Sequence, residues 1–562
     1  MSKNTRPFWA GQYDAICKDL TVAWKSFRQK GAYQIRFWFL ALLIGTAAGF
    51  AALLFRKGIE ALQILFYGTD DANNLHTLAG SLPWYWLVAV PVMGGLAVGL
   101  ILHFFTEDGR VRAVADVIEG AAMYQGRVER RAGVASAVAS LITLGMGGSS
   151  GREGPVVHIA ATISSWVSER IHASGLTGRD LLGCAVAAAV SASFNAPIAG
   201  ALFSLEVVLR HFAVHAFAPI AIASVAGTVI NRMAFGDVTE FVLPVASNLQ
   251  FYVELPAYLM LGLVCGLLAA ILMRAVFLAE DLGNHLQARS GIPRWIRPAI
   301  SGGMLGVLAI WFPHIIGVGY ETTSRALTGE LVLHEAFVFA ALKVVAVAIT
   351  FGGRMGGGIF SPALMVGALT GLSFGFVATG VFPEVSGSVT LYALAGMGAV
   401  AAAVLGAPIS TTMIVFELTG DWQTGLAVMV AVSTSSALGT RLVERSFFLT
   451  QLERRNVHLA RGPQAYLLAM FRVASLMKPL EDRECPEEDD LWELVQNGVY
   501  VDGNSTLEAA MPVFERSDAA YLPVLSISSE DQPPELWGAL WYVDALKAYN
   551  RALAATAEEE HS

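Results

Sequence analysis

The sequence predicts an all-α integral membrane protein, a repeated helical bundle with broken helices, followed by a small α/β tail. Three observations predict it. The 562 residues are 55% hydrophobic and 15% charged, with a mean hydropathy of +0.55, whereas soluble domains carry about 25% charged side chains. Apolar stretches at Phe37–Phe55, Trp84–Phe105, Tyr258–Phe277 and Ala336–Phe351 approach the ~20 residues that cross a bilayer; in the last only Lys343 is charged. Others, Val134–Met146 and Leu391–Leu405, are too short for a simple span, and short, Gly/Pro-interrupted apolar segments mark helices that stop within the membrane around a site.

In chain order, residues 1–34 read as an amphipathic segment. Lys18, Lys25, Arg28 and Lys30, with Arg36 just beyond, precede the first span, so the positive-inside rule places this end in the cytoplasm; no secretory signal is visible. Residues 35–455 form the membrane body. Residues 456–562 form a soluble tail that opens with an acidic, Pro-containing linker, Glu481–Asp490. Residues 475–562 carry 19 acidic and 5 basic side chains, a balance of −14 against −9 for the whole chain, so the remainder is mildly basic at +5. That suits passage of anions, and nothing points to nucleic acid. Cys17, Cys184, Cys265 and Cys485 show no CxxC spacing, so no disulfide framework or metal site is expected.

The membrane body repeats itself over about 84–250 and 297–455. Ala196-Pro197-Ile198 is followed by Glu206, and Ala407-Pro408-Ile409 at the same spacing by Glu417. Upstream, Gly154-Pro155 answers Ser361-Pro362, each opening a Gly/Ala-rich apolar helix. Duplication of this kind is typical of transporters and channels, with the site near the midplane where broken helices meet.

Two Gly-rich helix starts form a candidate anion cradle, Gly145–Pro155 and Gly352–Pro362. Glycine lets backbone amides approach an ion, and the positive end of a helix favours an anion without trapping it. Glu153 stands at the first of these starts. An ionisable side chain inside a membrane costs roughly 2.5–3.5 kcal/mol on insertion scales, so it is expected to have a function. A carboxylate at an anion site is a tethered competitor for that anion, which is the logic of a gate.

With GREGP at 151–155, GGIFSP at 357–362 and Phe194-Asn195-Ala196-Pro197 ahead of Glu206, the chain resembles the CLC family of chloride channels and proton/chloride antiporters. The resemblance covers nearly the whole membrane body. It implies an inverted repeat of tilted helices, a homodimer with one pore per subunit, Glu153 as the gating glutamate, and backbone amides around Gly358, Ile359 and Phe360 as anion ligands. Three positions depart from the family pattern. Ala113 stands where the family has an ion-coordinating serine, and Phe448 where it has a pore tyrosine. Val207 stands where its antiporters carry an inner proton-handling glutamate. The resemblance therefore implies a glutamate-gated passive chloride channel, with proton-coupled antiport as the alternative. Anions other than chloride are expected to be poorly discriminated.

Secondary residues have plainer readings. Glu206 and Glu417 are expected to tie helices to backbone donors, and His158 to be a packed histidine. Arg152 neighbours the gate, but adjacent helical residues diverge; Arg354 either attracts anions at the mouth or snorkels. Gly148-Ser149-Ser150-Gly151 satisfies the G-x-S-G pattern of intramembrane serine proteases, a distant alternative that needs a histidine base, with His211 and His215 as the nearby candidates. No enzymatic activity is expected. In the tail, Ser505–Met511, Tyr521–Leu525 and Leu536–Leu540 resemble the helix and strand beats of one CBS module over about 499–553, which implies support of the dimer, with nucleotide binding as the alternative; no cofactor is otherwise expected. The expected setting is the inner or plasma membrane, with both ends cytoplasmic.

Overall fold

The structure is a computed structural model, and its described residues are 32–69, 71, 74–173, 175–212, 214–236, 241, 251–384, 386–457, 459, 468, 471–526 and 535–560. Most of the expected segment 1–34, including Lys18, Lys25, Arg28 and Lys30, lies outside them, as does the side chain of His215.

The first half of the membrane body comprises α1 (Ala32–Tyr67), α2 (Leu75–Ala79), α3 (Trp84–Phe105), α4 (Val114–Met123), α5 (Arg130–Gly145), α6 (Glu153–Arg170), α7 (Gly175–Phe194), α8 (Pro197–Phe203), a π segment at Ser204–Leu209, and α9 (Val214–Phe235). The second comprises α10 (Phe251–Ser290), α11 (Arg297–Trp311), α12 (Tyr320–Thr328), α13 (Leu333–Gly352), α14 (Phe360–Val381), α15 (Val389–Leu405), α16 (Pro408–Thr419), α17 (Trp422–Leu442) and α18 (Phe447–Glu453). Among the described residues, seven helices are long and apolar enough to cross a membrane. Exposed Trp84, Tyr85, Phe104, Phe105, Trp311 and Trp422 sit at helix ends, the arrangement of an aromatic belt at a membrane interface.

In lipid the helices gain little from hiding apolar surface, so they associate through close backbone packing. The short helix α15 is buried along almost its whole length. It lies so near α14 that a methyl group on Gly367 would stand 2.3 Å from Gly396 O, and one on Gly396 would stand 2.5 Å from Gly367 O. Lys343 on α13 is fully buried. Its ammonium donates to Ile315 O and Gly317 O at 3.3 and 3.0 Å, satisfying carbonyls of the irregular segment that leads into α12.

The repeated glutamates exchange caps between the halves. Glu206 accepts from Ile409 N and Ser410 N at 2.9 and 2.8 Å, at the start of α16. Glu417 accepts from Ile198 N and Ala199 N at 3.0 and 2.7 Å, at the start of α8. Each carboxylate satisfies first-turn amides that have no acceptor within their own helix and sits at the positive end of its dipole. Both glutamates therefore tie helices together, as the sequence suggested.

The tail holds a four-stranded sheet, β1 (Lys478–Pro479), β2 (Val501–Asp502), β3 (Tyr521–Ser526) and β4 (Glu535–Trp541), in the order β1-β4-β3-β2. Strands β2 and β3 run parallel and the other pairs antiparallel. Helices α19 (Glu488–Gln496), α20 (Leu507–Ser517) and α21 (Tyr542–Glu560) accompany it. The acidic stretch expected as a linker over Glu481–Asp490 is corrected at its end: Glu488, Asp489 and Asp490 form the first turn of α19, where the helix dipole favours negative charge.

The tail docks on the membrane body. Thr506 donates to Ala122 O at 2.8 Å and Arg472 to Gln125 at 2.6 Å, both at the carboxyl end of α4. Arg210, just after the π segment, pairs with Glu508 at 2.8 Å, and the Glu508 side chain is 3% exposed. Burial pushes the Glu508 carboxyl above its ordinary range, with Arg210 and Arg179 offsetting this only in part. A carboxyl raised in the docked state binds its proton more tightly there, so docking weakens as the pH rises from the ordinary value through the raised one. Hydrogen exchange over residues 501–526, corrected for intrinsic rates, is expected to slow on mild acidification, and Glu508→Gln to flatten that dependence. Arg210→Ala, which leaves the buried carboxylate without this partner, is expected to weaken docking by about 3 kcal/mol.

Candidate functional site

The site forms where the two Gly-rich helix starts are clasped together. Gly151 N donates to Gly358 O and Gly358 N to Gly151 O, both at 2.7 Å. Side chains reinforce the clasp: Ser150 Oγ donates to Gly356 O at 3.0 Å, Gly356 N to Thr143 Oγ1 at 3.0 Å, and Ser149 N to Thr350 Oγ1 at 3.2 Å. Gly357 sits at φ +121°, and a methyl group there would lie 2.0 Å from Ser150 Oγ. Only glycine fits, for its backbone and for its lack of a side chain. Such non-helical backbone survives at membrane depth because protein surrounds it.

The clasp brings the starts of α6 and α14 together, so Glu153, 2% exposed, faces the first turn of α14. Its Oε1 accepts from Ser361 Oγ at 2.5 Å and from Tyr320 Oη at 3.3 Å. Its Oε2 is buried and, among the described residues, has no hydrogen-bond partner. A methyl group on Gly151 would lie 2.6 Å from this Oε2 and 3.1 Å from Ser361 N, so the carboxylate occupies the crowded space before the helix start.

Glu153, Ala113, Phe448, Gly358, Ile359 and Phe360 line one narrow cavity of about 20 Å³, room for one water-sized body. Six sequence-selected residues are thus brought together. Gly358 needs a correction, however: its N–H is taken by Gly151 O, so it cannot also ligate an anion. Ile359 and Phe360 cap and begin α14, where amides have no intrahelical acceptor. Phe360 is braced by Phe194 and Phe203, with ring centroids 4.7 and 5.8 Å away. Ala113 caps α4 and contributes no hydroxyl, while its own N–H donates to Asp116 at 2.8 Å. Phe448 closes the other wall beside Phe447.

Val207 is 5% exposed within the π segment, packed in the hydrophobic core of the membrane body. Arg152 donates to Ser193 O at 3.0 Å and lies over the Tyr320 ring at 5.0 Å. His158 is buried against Gly133, as a packed histidine would be. Arg354 lines a second, wider cavity on the tail side. The protease reading loses its support. Ser150 Oγ is spent on Gly356 O, and among the described residues lining the cradle cavity there is no histidine.

Three residues placed at the site escaped the sequence reading. Ser361 lay inside a quoted motif, but nothing in the sequence aimed its hydroxyl at Glu153. Tyr320 is distant in sequence and is placed by the Lys343-held segment before α12. Gln451 was legible in principle. It follows Phe448 by one helical turn on α18 and lines both the narrow cavity and the wider one.

A multi-pass helical membrane protein whose broken helices aim first-turn amides at one narrow cavity belongs to the class of membrane anion transporters. A family model described as voltage gated chloride channel matches residues 93–440. A ClcB-like chloride channel protein of Ralstonia nicotianae is 30% identical over 430 residues, covering 76% of this chain and 99% of its own. Two solved structures share the fold at 19% identity. One is a slow cyanobacterial Cl−/H+ antiporter, with a TM-score of 0.66 over 75% of this chain and 98% of its own. The other is a eukaryotic CLC transporter, with a TM-score of 0.64 over 91% of this chain and 98% of its own. The chain belongs to the CLC family of voltage gated chloride channels and related chloride transporters.

Two outcomes follow from this geometry. Gly357→Ala is expected to destabilise the fold by at least the ~1–3 kcal/mol of a strained backbone, seen as a lowered thermal midpoint in detergent. Gly380→Ala, which meets nothing within 4 Å, serves as its control. Gln451→Leu removes a donor from the cavity wall and is expected to weaken chloride binding, measured by calorimetry, by roughly tenfold, the worth of one hydrogen bond to a charge.

Proposed function

We propose that this protein carries chloride passively across the membrane through the cavity between α4, α6, α14 and α18, with the Glu153 carboxylate as its gate. One observation carries the reading: Glu153 lies buried before the first turn of α14, held by hydroxyls and with one oxygen unpartnered. A permeant anion would be drawn to the same place. Neutral hydroxyl donors hold the carboxylate more weakly than a paired cation would, so chloride or a proton can displace it. The gate then swings aside and the amides of Ile359 and Phe360 take the anion.

Passive conduction is favoured by Val207, which offers no protonatable group where the family's antiporters carry one. The second reading is proton-coupled exchange. It is favoured by the unpartnered Glu153 Oε2, a site open to a proton, and by the name of the cyanobacterial antiporter that shares the fold. In that case the proton reaches Glu153 through water. The working unit is proposed to be a homodimer packed through the face carrying the exposed Ile198 and Ile409, with the tail in the cytoplasm of the cell that houses it.

Liposomes loaded with chloride, with a potassium shunt carrying charge and external pH followed in weak buffer, test both readings. Chloride efflux without proton uptake supports the channel, whereas proton movement against its gradient, driven by chloride, establishes exchange. Glu153→Gln is expected to leave chloride flux open and remove its dependence on pH. A mutant whose pH response matches the wild type would remove Glu153 from the gate.

A further inference from the structure

On the tail side of the narrow cavity lies a second one of about 220 Å³, sharing Ala113, Phe351, Gly357 and Gln451 with it. Five arginines line it, Arg110, Arg297, Arg354, Arg454 and Arg455, with Glu280 as the one carboxylate among the lining residues. Three of these cations are matched by acids outside the lining. Arg110 pairs with Asp108 at 2.7 Å, Arg455 with Asp116 at 2.9 Å, and Arg454 with Asp281.

Arg297 and Arg354 differ. Arg297 is 6% exposed, and its guanidinium donates to Gly352 O at 2.7 Å, Asn284 Oδ1 at 2.7 Å, Gln287 Oε1 at 3.1 Å and Glu280 O at 3.2 Å. Arg354 donates to the same Asn284 Oδ1 at 3.2 Å and to Asp108 O at 3.4 Å. Every one of these acceptors is uncharged. Two guanidiniums therefore converge on a single amide oxygen, and Glu280 can balance at most one of them. Like charges held this close repel, and water screens a buried guanidinium poorly. The arrangement is relieved by an anion that both can hold.

We propose that Arg297 and Arg354, bridged by Asn284, form a binding site for a small oxyanion of the phosphate class, and that its occupancy obstructs the route to the narrow cavity. Arg354 donates two of its five N–H groups and keeps a planar fork that matches paired oxygens better than a single spherical ion, while Arg297 adds the one N–H its four bonds leave over; this selects an oxyanion over chloride. The position follows from the fold. Arg297 is set by the end of α13 and the side of α10, where Gly283 leaves it room: a methyl group there would lie 2.3 Å from Arg297 Nη2. Arg354 stands in the left-handed region at φ 55° within the second Gly-rich loop, which places its side chain at the mouth. The obstruction rests on reading the narrow cavity as the chloride route, whereas the binding does not.

The test uses the full-length protein with inorganic phosphate as the probe. Calorimetry on the purified protein is expected to show saturable phosphate binding, weakened roughly tenfold in Arg354→Gln and less in Arg354→Lys. Asn284→Asp, which keeps both arginines but places a carboxylate between them, is expected to abolish binding, and serves where Arg354→Gln fails to fold. In liposomes, phosphate on both faces is expected to slow wild-type chloride efflux and to lose that effect in Asn284→Asp. Binding that is absent, or equal in the wild type and Asn284→Asp, overturns the site. Binding that leaves chloride efflux unchanged overturns the obstruction. Arg354-dependent binding in a protein that moves no chloride at all upholds the site and refutes the transport reading.

Discussion

The reciprocal bridge between Gly151 and Gly358 is the constraint on which the site depends. Two helices that start mid-membrane each leave first-turn amides unsatisfied, and in lipid that is prohibitive. The pair of backbone hydrogen bonds joins the two loops so closely that each protects the other from the bilayer. It also fixes the starts of α6 and α14 face to face. Glu153 is thereby delivered to the first turn of the opposite half's helix, where Ser361 holds it. The glycines at 151, 357 and 358 are demanded by this approach, because side chains there would meet the partner loop or the Glu153 carboxylate.

A second exchange, between Glu206 and Glu417, works on the same principle farther from the pore. Each half lends a carboxylate to the helix start of the other. The two devices differ in one respect that matters for function. At α8 and α16 the cap is a carboxylate held by backbone amides and committed to structure. At α14 the carboxylate of Glu153 is held on one oxygen by hydroxyls, and its other oxygen has no partner among the described residues. The same chemistry is fully satisfied where it must be permanent and under-satisfied where a gate would have to open.

Much of this could be read from the sequence because the informative signals are local. GREGP and GGIFSP each encode a tight loop, a helix start and the residue at its head within a few positions. The spacing of Ala-Pro-Ile to glutamate announced the repeated caps. Contacts between segments far apart in sequence were not legible. Tyr320 reaches Glu153 only because Lys343 satisfies the carbonyls before α12, and Ser361 only because the clasp sets the two halves in register. Gly358 was misjudged for the same reason. Its amide looks free from sequence and is used by a partner more than 200 residues away. The acidic run at 488–490 looked like a linker on composition alone, while the helix it opens is stabilised by that very charge.

Ala113 and Phe448 bring no hydroxyl to the narrow cavity, which bears on how a dehydrated anion would be held. With those donors gone, the narrow cavity is walled mainly by apolar groups, and what remains for an anion are helix-start amides and the side-chain amide of Gln451. Neutral dipoles bind weakly enough to release, at the cost of attracting few anions from solution. On the proposed route, attraction would then come from the neighbouring arginine-lined cavity. A field of this sign concentrates anions at the entrance without placing a full charge inside the constriction, so attraction and release are separated in space. The same separation makes the mouth vulnerable. Two guanidiniums left with uncharged acceptors attract any anion that fits them, and a planar fork favours an oxyanion over chloride. If the proposed route holds, a pathway that draws its anions with arginines would carry, by its own chemistry, a place where a different anion can stop the flow.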